Sequence, residues 1–225
     1  MVYNFIHIPK TAGSALRVTL KNSNNKQIVY VPHGKRLNQY NNVIFVVRDP
    51  FERFCGAYYE RKNTEAYKRE YHKRKKEIGK IPMGAVYGGP LDKRDQALFA
   101  DTETPNDLMN KLRKNQGKPH WLFSYPKTKG PTAQVFGAYT VWLGDLQKFK
   151  ANQGKVKHAV DISVFTDFFK NEFNINVSQD KMLSRNLTEN KDYNLSEENK
   201  EWYRTIRKGD FLVYEYIKTQ DFYRS

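Results

Sequence analysis

A run of five consecutive apolar residues, Val43 to Val47, most strongly constrains the fold of this chain. A strand with one face in water usually alternates apolar and polar residues, whereas a strand covered on both faces of a parallel sheet is apolar throughout. The run continues into Arg48, Asp49 and Pro50, and an aspartate before a proline is typical of the start of a helix. The segment therefore predicts a buried parallel strand that leads directly into a helix.

A second strand-to-helix junction lies at the start of the chain. Val2 to Ile8 is rich in β-branched and aromatic residues, and Ala15 to Leu20 has the apolar spacing of a helix. The loop between them reads Pro-Lys-Thr-Ala-Gly-Ser. Its lysine supplies a mobile positive charge, its glycine allows close backbone approach to a ligand, and its two hydroxyl groups can donate hydrogen bonds. The free N–H groups of the new helix point to the same place, so the loop suits a phosphate or sulfate group.

This loop differs from the nucleoside triphosphate loop, in which the lysine follows the glycine and a hydroxyl group binds Mg²⁺. An ordinary strand-turn-helix corner with a surface lysine is the alternative interpretation. Arg48 follows the other buried strand, at the edge of the sheet where open α/β folds bind ligands, and its planar guanidinium suits a phosphate. Simple pairing of Arg48 with Asp49 is the alternative there.

The rest of the chain continues the alternation of strands and helices. Further strands are predicted at Gln27–Val31 and Val156–Ile162; helices at about Gly13–Asn22, from Pro50, at Pro105–Lys114, at Thr166–Phe173 and after an N-cap at Ser196; and irregular segments at Gly79–Pro90 and Pro119–Pro131. A chain of 225 residues with 39% hydrophobic residues can bury one substantial core. We therefore predict an α/β fold with a single domain, residues 1–225, and a central, mostly parallel sheet flanked by helices.

Together the two junctions resemble the loops of sulfotransferases that use 3′-phosphoadenosine 5′-phosphosulfate (PAPS), especially the carbohydrate branch that includes heparan sulfate 2-O-sulfotransferases. The resemblance implies a P-loop-like sulfotransferase fold, PAPS as donor, adenosine 3′,5′-bisphosphate as product, and no metal. It implies that the 5′-phosphosulfate is held by Lys10, Thr11, Ala12, Gly13 and Ser14.

The segment after the buried strand resembles the family's binding segment for the 3′-phosphate. Arg48-Asp49-Pro50, Arg53 and Tyr58 match its pattern, but the family's serine falls on Gly56, which has no hydroxyl group. A weaker match, from Ser184 to Lys191, resembles a loop that closes over the nucleotide in relatives. It implies that Arg185 and Thr188 bind the nucleotide, and an ordinary surface loop is the alternative.

The resemblance also implies a catalytic base. In the carbohydrate branch a histidine just after the second strand removes the proton from the acceptor hydroxyl, and His33 occupies that position. A histidine suits this role because its pKa lies near neutrality. His7 is the competing histidine and is expected to orient the loop. The implied reaction is in-line sulfuryl transfer, with Lys10 neutralising charge on the departing phosphate oxygen.

The formal net charge of +15 indicates a polyanionic partner or a strongly anionic ligand. Nine basic residues lie between Arg61 and Lys80 against three glutamates, which favours an anionic glycan acceptor, although a solvated charged face is the alternative. A non-catalytic module for polyanions or nucleic acid would fit the charge, and a nucleotide kinase would also use a strand-loop-helix. The binding module does not explain why Lys10 and Arg48 follow buried strands, and the kinase does not fit because the loop order is reversed and no carboxylate for Mg²⁺ follows. We expect no nucleic-acid partner.

The single cysteine, Cys55, excludes an internal disulfide and is expected to be a buried structural thiol. The chain has no run of 18 apolar residues and no signal peptide pattern, so we expect a cytoplasmic protein without an integral membrane segment.

Overall fold

The computed structural model describes residues 1–32, 34–62, 93–114, 121–123, 127, 134–177 and 192–225. Elements are numbered in chain order over these residues. The strands are β1 (Tyr3–Ile6), β2 (Ile28–Val31), β3 (Val43–Val47), β4 (Val156–Asp161) and β5 (Tyr223–Arg224). The helices are α1 (Gly13–Asn22), α2 (Pro50–Lys62), α3 (Lys93–Phe99), α4 (Pro105–Lys114), α5 (Tyr139–Leu143), α6 (Leu146–Asn152), α7 (Phe165–Phe173), α8 (Glu197–Ile206) and α9 (Lys208–Lys218). Short 3₁₀ turns lie at Leu37–Gln39, Trp121–Phe123, Gln153–Lys155 and Ile162–Val164.

The described strands form one five-stranded sheet in the order β2-β1-β3-β4-β5, and every neighbouring pair is parallel. The central strands are in close register, with Phe5 opposite both Tyr30 and Ile44. The chain moves outward from β1 to β2 and then returns past β1 to place β3 on its other side. The predicted α/β class with a parallel sheet flanked by helices is therefore confirmed.

The middle strand explains why the sheet carries helices on both faces. All five residues of β3 are fully buried, and they alternate between two apolar clusters. Phe45 belongs to the cluster formed with α5, α6 and α9, whereas Ile44 and Val46 belong to the cluster formed with α1 and α7. A strand covered in this way can have no polar face, which is the pattern its sequence shows.

A third apolar cluster lies around α2 and contains residues from α3, α4 and α8. Phe54 is at its centre, with its ring 5.1 Å from that of Tyr203 and 5.3 Å from that of Phe136. Cluster packing buries most of α2, so this helix is a rigid support for the loop that precedes it.

Several predicted elements have the bounds that the structure shows. Helices α1 and α4 and strand β3 match residue for residue, and Ser196 caps α8 by accepting a hydrogen bond from the Asn199 N–H. The elements β5, α3, α5 and α6 were not predicted from the sequence. The segment Gly79–Pro90 and most of Pro119–Pro131 lie outside the described residues. Among the helices that the structure describes, none is both long enough and apolar enough to cross a membrane.

Candidate anion-binding site

The two loops singled out in the sequence lie side by side at the carboxyl edge of the sheet. The loop of Lys10 follows β1, and Arg48 immediately follows β3, the strand next to β1. The chain reverses its direction across the sheet between these two strands, because β2 lies on one side of them and β4 on the other. A reversal of this kind opens a crevice at the carboxyl ends, where doubly wound sheets bind their ligands.

The backbone of the first loop has an unusual conformation. Lys10 and Ala12 have φ angles of 67° and 60°, in the left-handed region that residues with a side chain seldom adopt. Alternation of this kind turns successive N–H groups toward one point and forms a concave anion site. Within the described part of the chain, the N–H groups of residues 10–14 donate no hydrogen bond, and Ala12 gives α1 no side-chain cap.

A contact within the protein leaves no room for a side chain at Gly13. A Cβ at this position would lie 2.1 Å from Cδ2 of His7, so the histidine ring occupies the space of a side chain. His7 is 4% exposed, its N–H extends the sheet by donating to the Val31 carbonyl, and its ring Nδ1 is hydrogen-bonded to the Tyr30 hydroxyl. His7 lies just beyond β1 and packs beneath the loop, in agreement with the orienting role expected for it.

The two hydroxyl groups of the loop have different environments. Thr11 is fully buried, and its hydroxyl donates its proton to the Ile8 carbonyl at 2.8 Å. This hydroxyl stabilises the turn, which corrects the expectation that it donates to a ligand; a binding role for the Thr11 N–H stays a prediction. Ser14 is half-buried, and its hydroxyl donates to no described residue. Ser14 is therefore the loop hydroxyl that can reach a ligand.

Both cations of the site form ion pairs with helix α2. Lys10 Nζ lies 2.6 Å from Oε2 of Glu60, and only 13% and 8% of these two side chains are exposed. Lys10, expected to supply a mobile positive charge, is thus held in a largely buried ion pair. Arg48 Nε lies 3.1 Å from Oε2 of Glu52.

Asp49 does not pair with Arg48, which was the alternative considered for that arginine. Its Oδ1 instead accepts hydrogen bonds from the N–H groups of Phe51 and Glu52, at 2.8 and 3.2 Å, as the N-cap of α2. Burial raises the pKa of Asp49, although these two hydrogen bonds oppose the shift. The predicted helix start is confirmed. The Arg48 side chain pairs with Glu52 of α2 and not with Asp49.

Gly56 is the position at which the two cations meet. A Cβ there would lie 3.1 Å from an Arg48 guanidinium nitrogen and 3.5 Å from Cε of Lys10. Both side chains therefore pass over α2 at Gly56, and the Cβ of a serine at this position would crowd the Arg48 guanidinium. Arg48 and Lys10 thus occupy the space above Gly56.

The Arg48 backbone is fixed by Tyr139 of α5. The Tyr139 hydroxyl accepts a hydrogen bond from the Arg48 N–H at 2.9 Å and donates one to the Arg48 carbonyl at 2.6 Å. Complete burial raises the pKa of Tyr139, so the tyrosine stays protonated and keeps both bonds. The Arg48 guanidinium lies over the ring of Tyr193, 5.3 Å from its centroid. Sequence reasoning missed both tyrosines, since no local pattern connects them with Arg48.

Arg53 and Tyr58, which also match the family pattern, face the protein interior. Arg53 is 2% exposed and donates hydrogen bonds to the carbonyl groups of Pro9 and Gly137, the first at 3.3 Å. Tyr58 donates to the Thr102 carbonyl at 3.0 Å. Arg53 therefore supports the Lys10 loop from within, and neither residue lies where a ligand could reach it.

Cys55 is fully buried, and desolvation raises the pKa of its thiol to about 12, as expected of a structural thiol. Among the described residues, no group of three or more His, Cys, Asp or Glu side chains could hold a metal ion. Four predicted features lie outside the described residues: His33, Arg185, Thr188 and most of the basic run from Arg61 to Lys80.

Comparison with known proteins adds no relative, since no family model, no curated protein and no solved structure matches the chain.

Proposed function

We propose that this protein is a sulfotransferase that moves a sulfuryl group from PAPS to an acceptor hydroxyl, on a P-loop-like sulfotransferase fold. The observation that carries the proposal is the meeting of Lys10 and Arg48 above Gly56, at the edge between β1 and β3. Each cation comes from one of the two segments that resemble the sulfotransferase loops. The convergence of the two segments is what a donor with two anionic groups requires.

The residues present fit the two ends of such a donor. The N–H groups of residues 10–14, the Ser14 hydroxyl and Lys10 form a set of donors for a 5′-phosphosulfate. Arg48 presents a planar guanidinium suited to a 3′-phosphate. Its backbone is held by Tyr139, so the guanidinium starts from a fixed point.

The proposed reaction is an in-line displacement at sulfur. His33 accepts the proton of the acceptor hydroxyl as its oxygen attacks, and the bond from sulfur to the 5′-phosphate oxygen breaks. Lys10 stabilises the negative charge that develops on that departing oxygen. The loop N–H groups hold the donor in line, which accounts for much of catalysis in the related phosphoryl transfers. The roles of His33, Arg185 and Thr188 rest on the resemblance alone.

The acceptor that we propose is an anionic glycan. The support is the charge of +15 and the concentration of basic residues directly after α2, the helix that carries Gly56. A strongly positive protein raises the local concentration of a polyanion around it.

Calorimetric titration with adenosine 3′,5′-bisphosphate, 5′-AMP and ATP tests the donor site. We expect the bisphosphate to bind most tightly, because only it offers Arg48 a 3′-phosphate. Lys10→Ala and Arg48→Ala should each weaken its binding at least about tenfold, the loss of one charged hydrogen bond in a half-buried site. Lys148→Ala is the matched control, since this lysine of α6 is 75% exposed and pairs with Asp145, the N-cap of that helix. Equal affinity for 5′-AMP and the bisphosphate would remove the 3′-phosphate role, and tighter binding of ATP would favour a nucleotide kinase.

A further inference from the structure

Both cations of the anion-binding site are paired with carboxylates on one face of one helix. Glu52, Gly56 and Glu60 are spaced four residues apart along α2, so they share a face. Lys10 contacts the carboxylate at one end of this row, and Arg48 contacts the carboxylate at the other. The glycine between them is where the two cationic side chains cross. Helix α2 therefore supplies the counter-ions of the site that it supports.

The two ion pairs differ in their exposure to solvent. The Glu52 side chain is 52% exposed, so water and salt screen its attraction to Arg48. The Glu60 side chain is 8% exposed and its contact with Lys10 is shorter, at 2.6 Å. A buried pair is screened far less, so Glu60 must be the stronger of the two counter-ions.

An anion that binds the loop meets Glu60 as a competitor. The ligand must take over part of the Lys10 ammonium, and its own charge is repelled by the nearby carboxylate. A small anion with a single charged group, such as sulfate, forms too few hydrogen bonds to offset this cost. A ligand that also reaches the free N–H groups of the loop and Arg48 gains several charged hydrogen bonds at once.

We propose that Glu60 is a specificity-determining residue that competes with bound anions for Lys10 and so restricts the site to ligands that carry more than one anionic group. This inference rests on the proposed function, because it concerns the same site. It predicts that a nucleotide with two phosphoryl groups is bound and that inorganic sulfate is excluded. The carboxylate thereby protects the site from the common small anions of solution.

The test is calorimetric titration of the full chain with adenosine 3′,5′-bisphosphate and with sodium sulfate. Glu60→Gln keeps the shape of the side chain and removes its charge. We expect this variant to bind the bisphosphate on the order of tenfold more tightly and to acquire measurable sulfate binding. Glu197→Gln is the matched control, because this carboxylate is 81% exposed and pairs with Lys200 on α8 rather than with a cation of the site. The affinity of this variant should change by less than about twofold.

The same substitution in a Lys10→Met protein separates competition from simple repulsion. With no lysine to release, Glu60→Gln should give a clearly smaller gain in affinity. An unchanged or weaker affinity in Glu60→Gln, or an equal gain in both backgrounds, would overturn the inference. If Glu60→Gln does not fold, Glu60→Asp carries the test, since its shorter carboxylate reaches Lys10 less well and should also tighten binding. Absence of bisphosphate binding in the wild-type protein and every variant would instead refute the proposed function.

Discussion

Replacement of Gly13 by alanine is the sharpest test of how the anion loop is built. The added Cβ would lie 2.1 Å from Cδ2 of His7 and 2.6 Å from both Cγ and Nε2, distances that force the ring or the loop to move. The ring cannot turn away freely, because it is 4% exposed and bound to the Tyr30 hydroxyl. Gly13→Ala should therefore change both the stability and the binding of the protein.

The size of the effect follows from two opposing contributions. Alanine is better than glycine in a helix by about 1 kcal/mol, whereas overpacking a filled site costs about 1–3 kcal/mol and sometimes more. Because the clash is with a ring whose movement also breaks a hydrogen bond, we expect a net loss of about 2 kcal/mol in the free energy of unfolding. In a chain of this length, that loss lowers Tm by roughly 4–8 °C.

The assay is urea denaturation followed by circular dichroism, together with titration of adenosine 3′,5′-bisphosphate. Gly154→Ala is the control, since a Cβ at that glycine would meet nothing within 4 Å and its unfolding free energy should change by less than about 0.5 kcal/mol. The double variant His7→Ala, Gly13→Ala should recover part of the loss caused by Gly13→Ala, because the space is then free. A Gly13→Ala protein as stable as wild type, with unchanged binding, would refute the packing argument.

The remaining predictions concern stability, catalysis, the acceptor and the thiol. Arg53→Met should lower the free energy of unfolding by about 3 kcal/mol or more in urea titrations. The substitution leaves the Asp210 carboxylate buried without its nearest cation and the Pro9 carbonyl without its hydrogen-bond donor. A loss below about 1 kcal/mol would contradict the supporting role of Arg53. His33→Ala should depress kcat and leave bisphosphate affinity nearly intact, and unimpaired turnover from PAPS would exclude His33 as the base. Replacement of the four basic residues 73–76 by glutamate should raise KM for an anionic glycan and leave donor binding unchanged. An unchanged KM would show that the run is only a solvated charged face. The Cys55 thiol, with its pKa raised to about 12, should react with iodoacetamide at pH 8 only after unfolding, and rapid labelling of the native protein would contradict its burial.

The sequence by itself determined the elements whose pattern is local. Five apolar residues in succession, four of them β-branched, favour a strand covered on both faces, and the bounds of β3 were predicted as the structure has them. Asp49 before Pro50 marked the start of α2, because the aspartate can satisfy the free N–H groups of the first turn. These predictions succeeded because each depends on contacts within a few residues.

The strand ends also located the candidate site in part. A loop after β1 and an arginine after β3 must lie at one edge of a parallel sheet. Whether they become neighbours depends on the strand order, and that order follows from packing of helices on both faces rather than from any local signal. The sequence therefore identified Lys10 and Arg48, and the tertiary structure made them adjacent.

The partners of these residues were decided by the tertiary structure alone. Glu60 is 50 positions from Lys10, and Tyr139 is 91 positions from Arg48. Neither contact has a repeat, a spacing or a motif in the chain, because it forms only when helices pack against the sheet edge. The same packing placed the His7 ring against Gly13, a contact within the protein that no local pattern predicted. The local sequence pattern determines which residues lie at the strand ends, and long-range packing determines which residues they contact.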